Sequence, residues 1–163
     1  MLNKVVHTLS RSMNDLGIPA VRFNFRGIGA SEGEYADGFG EATDTLTVAD
    51  WACQRFPGAK LWLGGFSFGA MVAGRAALAA LPGRLIMIAP AVDRMKKLMD
   101  DAQPDCPWLI IQGDEDEVVS CDAVVDWVNW LNPGPELVLL SGVDHFFHGR
   151  LTLLRETLVS HLK

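Results

Sequence analysis

Basic residues are in the minority. Lysine and arginine number 14 against 20 aspartate and glutamate, a formal net charge of −6 with a pI near 5.1. A chain of this sign offers no electrostatic footprint for nucleic acid or for an anionic membrane surface, so neither is expected as a partner. Cysteine is also scarce. Cys53, Cys106 and Cys121 are odd in number and match neither metal-ligand nor redox spacing, which argues for free thiols in a reducing, cytoplasmic setting and against a metal centre. No signal-peptide pattern, internal repeat or low-complexity segment is present, and no cofactor is expected.

Long apolar runs are nearly absent too. The exception is Leu61 to Leu81, where 21 residues carry one charge, Arg75, enough to suggest a membrane span. Gly64 and Gly65 would fall inside that span, where paired glycines weaken a helix. No second apolar segment or flanking positive cluster supports insertion. The run is better divided into a buried strand and a buried helix that meet at Ser67.

What the sequence does contain is a soluble globular profile, 49% hydrophobic and 21% charged, in 163 residues expected to form a single domain spanning 1–163. Short apolar runs alternate with segments of helical period. Strands are predicted at Val21–Phe25, Lys60–Phe66, Leu85–Ile88, Trp108–Gln112 and Leu137–Leu140. Helices are predicted at Met1–Leu16, Gly40–Phe56, Phe68–Leu81, Cys121–Leu131 and Phe146–Leu162, with a short one at Asp93–Asp101. In the second helix Ala42, Leu46, Ala49 and Cys53 form one stripe. Strands such as LIMI and WLII are apolar throughout, as expected when helices cover both sheet faces. The pattern is that of a doubly wound, mostly parallel α/β sheet, whose chemistry lies beyond the carboxyl ends of the strands.

Three of those ends carry a matched set. After the strand at Lys60–Phe66 comes Gly65-Phe66-Ser67-Phe68-Gly69, a serine at a sharp strand-to-helix turn with small neighbours two residues away on each side. Such a turn projects the hydroxyl from the sheet, at a helix amino end whose free N–H groups suit a developing oxyanion. A helix-capping serine is the competing explanation. A serine needs a base, and the base an orienting acid, in the chain order Ser, acid, His. After WLIIQ comes Gly113-Asp114-Glu115-Asp116-Glu117-Val118-Val119, and after LVLL comes Ser141-Gly142-Val143-Asp144-His145. Asp116, followed by Val118-Val119, is preferred as the acid, with Asp114 as the alternative. His145, nearest its strand end, is preferred as the base. His148 is placed in the last helix, His7 and His161 read as surface residues, and Asp144 is expected to face solvent.

The runs RFNFRGIGASEGEYADGFGEATDTLTVADWA, WLGGFSFGAMVAGRAA, GDEDEVV and GVDHFFHGRL resemble the compact, lidless serine hydrolases of the α/β-hydrolase superfamily, near the dienelactone-hydrolase-like and small esterase groups. Serine stands where dienelactone hydrolases carry cysteine. The resemblance implies Ser67 as nucleophile, Asp116 as acid, His145 as base, and the backbone N–H of Phe68 as one oxyanion donor, with Arg26 to Ser31 bordering the site. It implies a small-molecule carboxylic ester or thioester as substrate, with a catalytically silent or binding protein as the alternative. Relatives of this kind carry further strands and a His-Pro-rich loop ahead of the point matching Met1. The chain therefore reads as N-terminally truncated, without the strand between Val21–Phe25 and Lys60–Phe66 and without the second oxyanion donor, unless a homo-oligomer partner fills the gap. Between Pro90 and Pro107 there is no room for a cap domain. Met95, Leu98 and Met99 are expected to pack in the core instead of lining the site.

Overall fold

The computed structural model describes residues 3–99 and 102–163. Four strands, β1 (Trp62–Phe66), β2 (Arg84–Ile88), β3 (Trp108–Gly113) and β4 (Glu136–Leu140), form one sheet in the order β1-β2-β3-β4, every pair parallel. Six helices accompany them: α1 (Lys4–Asp15), α2 (Phe39–Arg55), α3 (Phe68–Ala80), α4 (Val92–Met99), α5 (Cys121–Trp130) and α6 (Leu151–Leu162). One apolar cluster packs α2, α3, α4 and α5 on one face of the sheet, and another packs α1 and α6 on the opposite face. Strands β2 and β3 are buried almost end to end, which explains their uninterrupted apolar sequences.

The membrane-like run resolves into β1 and α3. Ala70, Met71, Val72, Ala73, Ala76 and Ala77 are all buried, so α3 is apolar on nearly every side because it sits inside the protein, wedged among β1, β2, α2 and α4. Its one charge, Arg75, donates to the Leu98 carbonyl at 2.9 Å and lies over the Phe39 ring. No helix among the described residues is long and apolar enough to cross a membrane.

Most predicted elements agree with the structure to within a residue or two, and three differ. Val21–Phe25 is not a strand. A strand requires a ladder partner, and the outer edge of β1 has none among the described residues. A cavity of about 410 Å³ lies between the two, with Val21 and Phe23 on one wall and Trp62 and Gly64 on the other. Its faces are α1, through Leu9, and α2, through Ala49. The space thus lies at the outer edge of β1 between residues of α1 and α2. The second difference is the last helix, which begins at Leu151 and not at Phe146; residues 144–150 form tight turns, Phe147 among them at φ 55°. His148 therefore belongs to the loop after β4. The third is Cys53, which is exposed, so the buried stripe of α2 runs through Ala42, Thr45 and Ala49 and stops there. Met95, Leu98 and Met99 are buried, as expected from the α4 sequence. The parts of the predicted helices falling on residues 1, 2, 100 and 101 lie outside the described residues.

The loop between Phe25 and α2 is fastened at three points. Arg26 forms a two-pronged ion pair with Asp44 of α2, Nε to Oδ2 at 2.8 Å and Nη2 to Oδ1 at 2.6 Å. Glu41, buried in the first turn of α2, accepts the Ala36 and Gly38 N–H groups at 2.9 and 2.8 Å. Asp37 accepts from Arg94 of α4. The hydrogen bonds from Arg26 hold the Asp44 carboxyl below its ordinary range. A depressed carboxylate contributes above its unfolded value and is lost as pH falls through its folded one. Solvent screens a partly exposed pair of this kind, so its contribution is local to the loop. Limited proteolysis should accordingly leave residues 27–38 uncut at neutral pH and cut them in Asp44→Asn. The parent should become equally susceptible only at pH values below the normal carboxylate range. A parent loop that loosens already at pH 6 would assign the restraint to another contact.

Candidate active site

At the end of β1 the chain reverses direction within four residues. Ser67 takes φ 52° and ψ −116°, a backbone region that costs a non-glycine residue about 1–3 kcal/mol. Its N–H is held by the Ile88 carbonyl of β2 at 2.9 Å, and its own carbonyl accepts from Ala70 and Met71 at the start of α3. The side chain makes no capping bond, which removes the helix-cap explanation. Its Oγ instead lies 3.1 Å from His145 Nε2.

The two glycines of the turn are not equivalent. A Cβ on Gly65 would stand 2.1 Å from the Gly69 carbonyl oxygen, whereas a Cβ on Gly69 would meet only the Phe25 ring at 3.9 Å. Gly65 is therefore the steric requirement of the turn, and Gly69 fits an added methyl. The N–H groups of Phe68 and Gly69 have no acceptor among the described residues and are free at the amino end of α3.

The other two loops are locked to each other. A Cβ on Gly113 would fall 2.1 Å from the Val143 carbonyl oxygen, so the ends of β3 and β4 meet backbone to backbone. Asp114 N–H donates to Leu140 O and Glu115 N–H to Val143 O, both at 3.1 Å. Asp114 Oδ1 accepts the Gly142 N–H at 2.7 Å, which fastens the two loops and leaves this carboxylate away from any imidazole. Asp116 occupies the position facing His145. Its Oδ2 lies 2.7 Å from His145 Nδ1 and 3.0 Å from Gln112 Nε2, and its Oδ1 accepts the Val118 and Val119 N–H groups at 2.8 and 2.7 Å. The Asp116 and His145 side chains are almost fully buried, at 0% and 3% exposure.

The structure therefore brings Ser67, His145 and Asp116 into one hydrogen-bonded line. Asp144 pairs with His148, Nδ1 to Oδ2 at 2.8 Å, on the surface and apart from His145. His7 is exposed, and His161 pairs with Glu136 at 2.6 Å. Among the described residues no group of acidic, histidine and cysteine side chains is arranged to hold a metal.

Aromatic rings flank Ser67 on both sides. Phe66 packs against His145 and Phe146, with centroids at 4.9 and 6.2 Å. Phe68 packs against Phe25 and Tyr35 at 5.6 and 5.7 Å, and the Arg94 guanidinium lies over its ring, 5.7 Å from the centroid. Neither Gln112 nor the Tyr35–Asp37–Arg94 group was singled out from sequence. The signal for Gln112 was present, as a polar residue ending the run WLIIQ. The Tyr35–Arg94 contact joins residues far apart in the chain and left no local pattern.

A parallel sheet flanked by helices, with a serine turn, an acid and a histidine beyond the ends of β1, β3 and β4 and no cap among the described residues, is the architecture of the α/β-hydrolase superfamily in its lidless form. The comparisons agree. Residues 3–104 match the family described as serine aminopeptidase, S33, and the chain belongs to this family of the α/β-hydrolase superfamily. It is similar to an α/β serine hydrolase homologue from Coxiella burnetii, at 44% identity and TM-score 0.94, over 100% of this chain and 78% of that one. It is likewise similar to XC6422 from Xanthomonas campestris, an α/β serine hydrolase without lid, at 47% identity and TM-score 0.93, over 97% and 72% of the two chains. A curated relative is the uncharacterized protein RP471 of Rickettsia prowazekii, 36% identical over 156 residues; the match covers 90% of this chain and 66% of the relative. The chain thus spans about two thirds of that relative's length.

The glycine asymmetry has a direct consequence. Gly65→Ala should abolish labelling by a fluorophosphonate probe and lower the melting temperature, since overpacking of this severity costs about 1–3 kcal/mol or more. Gly69→Ala should keep both within a few-fold and a few degrees of the parent. Equal loss in the two variants would refute the steric argument.

Proposed function

We propose that this hydrolase cleaves small carboxylic esters or thioesters through an acyl-enzyme, with Ser67 as nucleophile, His145 as general base and acid, and Asp116 as the orienting carboxylate. The observation that carries this reading is the continuous line from Ser67 Oγ to His145 Nε2 at 3.1 Å and from His145 Nδ1 to Asp116 Oδ2 at 2.7 Å.

Asp116, buried and acceptor-only when ionised, takes the Nδ1–H of a neutral His145 and so leaves Nε2 as the acceptor. Nε2 removes the Ser67 proton as Oγ attacks the carbonyl carbon. The oxygen of the tetrahedral intermediate becomes an anion, and the free N–H of Phe68 at the amino end of α3 supports the assignment of that group as a donor to it. On collapse His145 returns the proton to the leaving alcohol or thiol. Water, deprotonated in turn by His145, then releases the acid from the acyl-Ser67 ester.

Substrate size follows from what surrounds the site. Among the described residues α4 is the one element between β2 and β3, and its apolar residues Met95, Leu98 and Met99 are buried in the core. An uncapped site walled by Phe66, Phe68 and Phe146 suits a compact ester better than a long acyl chain, which needs an enclosed apolar tunnel. A peptide bond could be cut by the same three residues. Ester cleavage is favoured because a site with one identified backbone donor suits a good leaving group.

A second reading has its own observation. The unpaired Val21–Phe25 segment and the empty space beside β1 leave the sheet edge next to Ser67 without support, as in a weakly active or silent member of the family. Loss of one oxyanion donor typically costs ~10²–10³ in kcat. Hydrolysis of p-nitrophenyl acetate by the parent, lost by several orders of magnitude in Ser67→Ala and His145→Ala, would establish the enzymatic reading. Turnover equal in the parent and in both variants would leave only the silent one.

A further inference from the structure

Gln112 is a fully buried polar residue at the end of a strand that is otherwise apolar. Its amide nitrogen lies 3.0 Å from Asp116 Oδ2, 3.2 Å from the Gly113 carbonyl oxygen and 3.3 Å from the Val119 carbonyl oxygen. All three neighbours are acceptors, which fixes the amide with its NH2 toward them and its oxygen away. That oxygen, Oε1, is buried without a partner and is the one such side-chain atom among the described residues. A methionine or leucine would fill the same space without an orphaned oxygen, at the loss of a donor to Asp116 Oδ2 and to the Gly113 and Val119 carbonyls. The unpaired oxygen is therefore tolerated for the sake of what the NH2 group does.

What it does is act on the same carboxylate oxygen that faces His145 Nδ1. The other oxygen of Asp116 is already held by two backbone N–H groups. With Gln112 the carboxylate has two donors on each oxygen, and it cannot rotate without breaking several bonds at once. An amide proton is not lost at neutral pH, so Gln112 can hold the carboxylate without competing with the imidazole as an acid. Two other ionisable side chains approach this line: Glu117, whose Oε2 lies 3.4 Å from the His145 backbone nitrogen and so contacts the histidine at its main chain, and Cys121, whose thiol is pushed up by burial and by the charges of Asp122, Asp114 and Asp116.

We propose that Gln112 is a positioning residue for the hydrolytic reaction, pinning Asp116 so that Oδ2 stays on His145 Nδ1 while the base takes up and returns its proton. This rests on the roles proposed above for Ser67, His145 and Asp116. By sharing the charge on Oδ2, the amide also moderates that oxygen's contact with His145 Nδ1, so removing it would leave Nδ1 as the one partner of Oδ2 and should change how activation of Ser67 depends on pH.

The test is the second-order rate at which a fluorophosphonate probe labels the full-length chain, measured across pH, which reports activation of Ser67 without requiring turnover. Gln112→Met removes the donor and the unpaired oxygen together. It should melt within a few degrees of the parent, label roughly 10–100-fold more slowly, the worth of one charge-assisted hydrogen bond, and move the acid limb of the pH profile upward. Gln112→Glu should label well only at pH values where the new carboxyl is protonated and can donate. Its rate relative to the parent should then fall as pH rises and a second carboxylate faces Asp116. A folded Gln112→Met with the parent's rate and acid limb would overturn the proposal. If Gln112→Met does not fold, a pH-independent ratio between Gln112→Glu and the parent would do the same. A parent chain that the probe does not label at Ser67 would overturn the reading of the site itself, a result distinguishable from failure at Gln112 alone.

Discussion

Ser67 sits in a backbone conformation that a residue with a Cβ avoids, and the surrounding structure is arranged to keep it there. Three things enforce it. Gly65 lets β1 pass within van der Waals reach of the Gly69 carbonyl, the Ile88 carbonyl of β2 takes the Ser67 N–H, and α3 is buried from Ala70 through Gly74, which fixes where the chain enters the helix. Remove the parallel pairing of β1 with β2 and the elbow loses the bond that fixes its apex. Remove the small residues of α3, and the helix can no longer lie close enough to the sheet to receive the chain at this angle. Strain at the serine is thus supported by packing on both sides of it. Two other non-glycine residues with positive φ, Ala89 and Phe147, also lie beyond strand ends, after β2 and β4. Backbone strain gathers on the edge of the sheet where the reactive groups meet.

The line from Ser67 to Asp116 is assembled from three loops that have no sequence proximity, so its accuracy depends on how those loops are fixed to one another. The β3 and β4 loops are fixed by backbone contact at Gly113, by the Asp114 carboxylate on Gly142, and by the Glu115–Val143 hydrogen bond. This explains why four acids crowd residues 114–117 without all serving one purpose. Asp114 joins the loops and Asp116 faces the histidine. Glu117 approaches the main chain of His145, and Glu115 is exposed with its backbone in the loop contact. An acidic turn that looks redundant in sequence is divided by geometry into separate tasks.

That division marks the boundary of what sequence reading reached. The order Ser, acid, His beyond three of the strand ends was legible because the fold imposes it, and Asp116 was preferred over Asp114 from the apolar Val118-Val119 that follows it. The parallel sheet was legible from strands without alternation, and the burial of α3 from its small apolar residues. Val21–Phe25 was misread because local β preference contains no information about whether a partner exists. Phe146–Leu162 was read as one helix because periodicity runs on through Phe147, whose positive φ is imposed by the loop that places His145. Gln112 escaped because a single amide in an apolar strand has meaning only when the acceptors around it are known.

The space beside β1 connects these points to rate. Its upper end is closed by the Phe25 ring resting edge-on against Phe68, and Tyr35 rests on the same ring while its hydroxyl contacts Asp37 and Arg94. The segment without a ladder partner is therefore in direct contact with the residue whose N–H is the proposed oxyanion donor. A donor to a developing charge is effective in proportion to how little it must reorganise when the charge appears. Thermal movement of residues 21–25 would pass through Phe25 to Phe68 and blur that donor's direction, even with Ser67, His145 and Asp116 in perfect alignment. The three anchors on the following loop, at Asp44, Glu41 and Arg94, oppose this movement from one side only. Packing against the outer edge of β1 on the other side of the segment bears on the same N–H by steadying Phe25, without touching the line from Ser67 to Asp116.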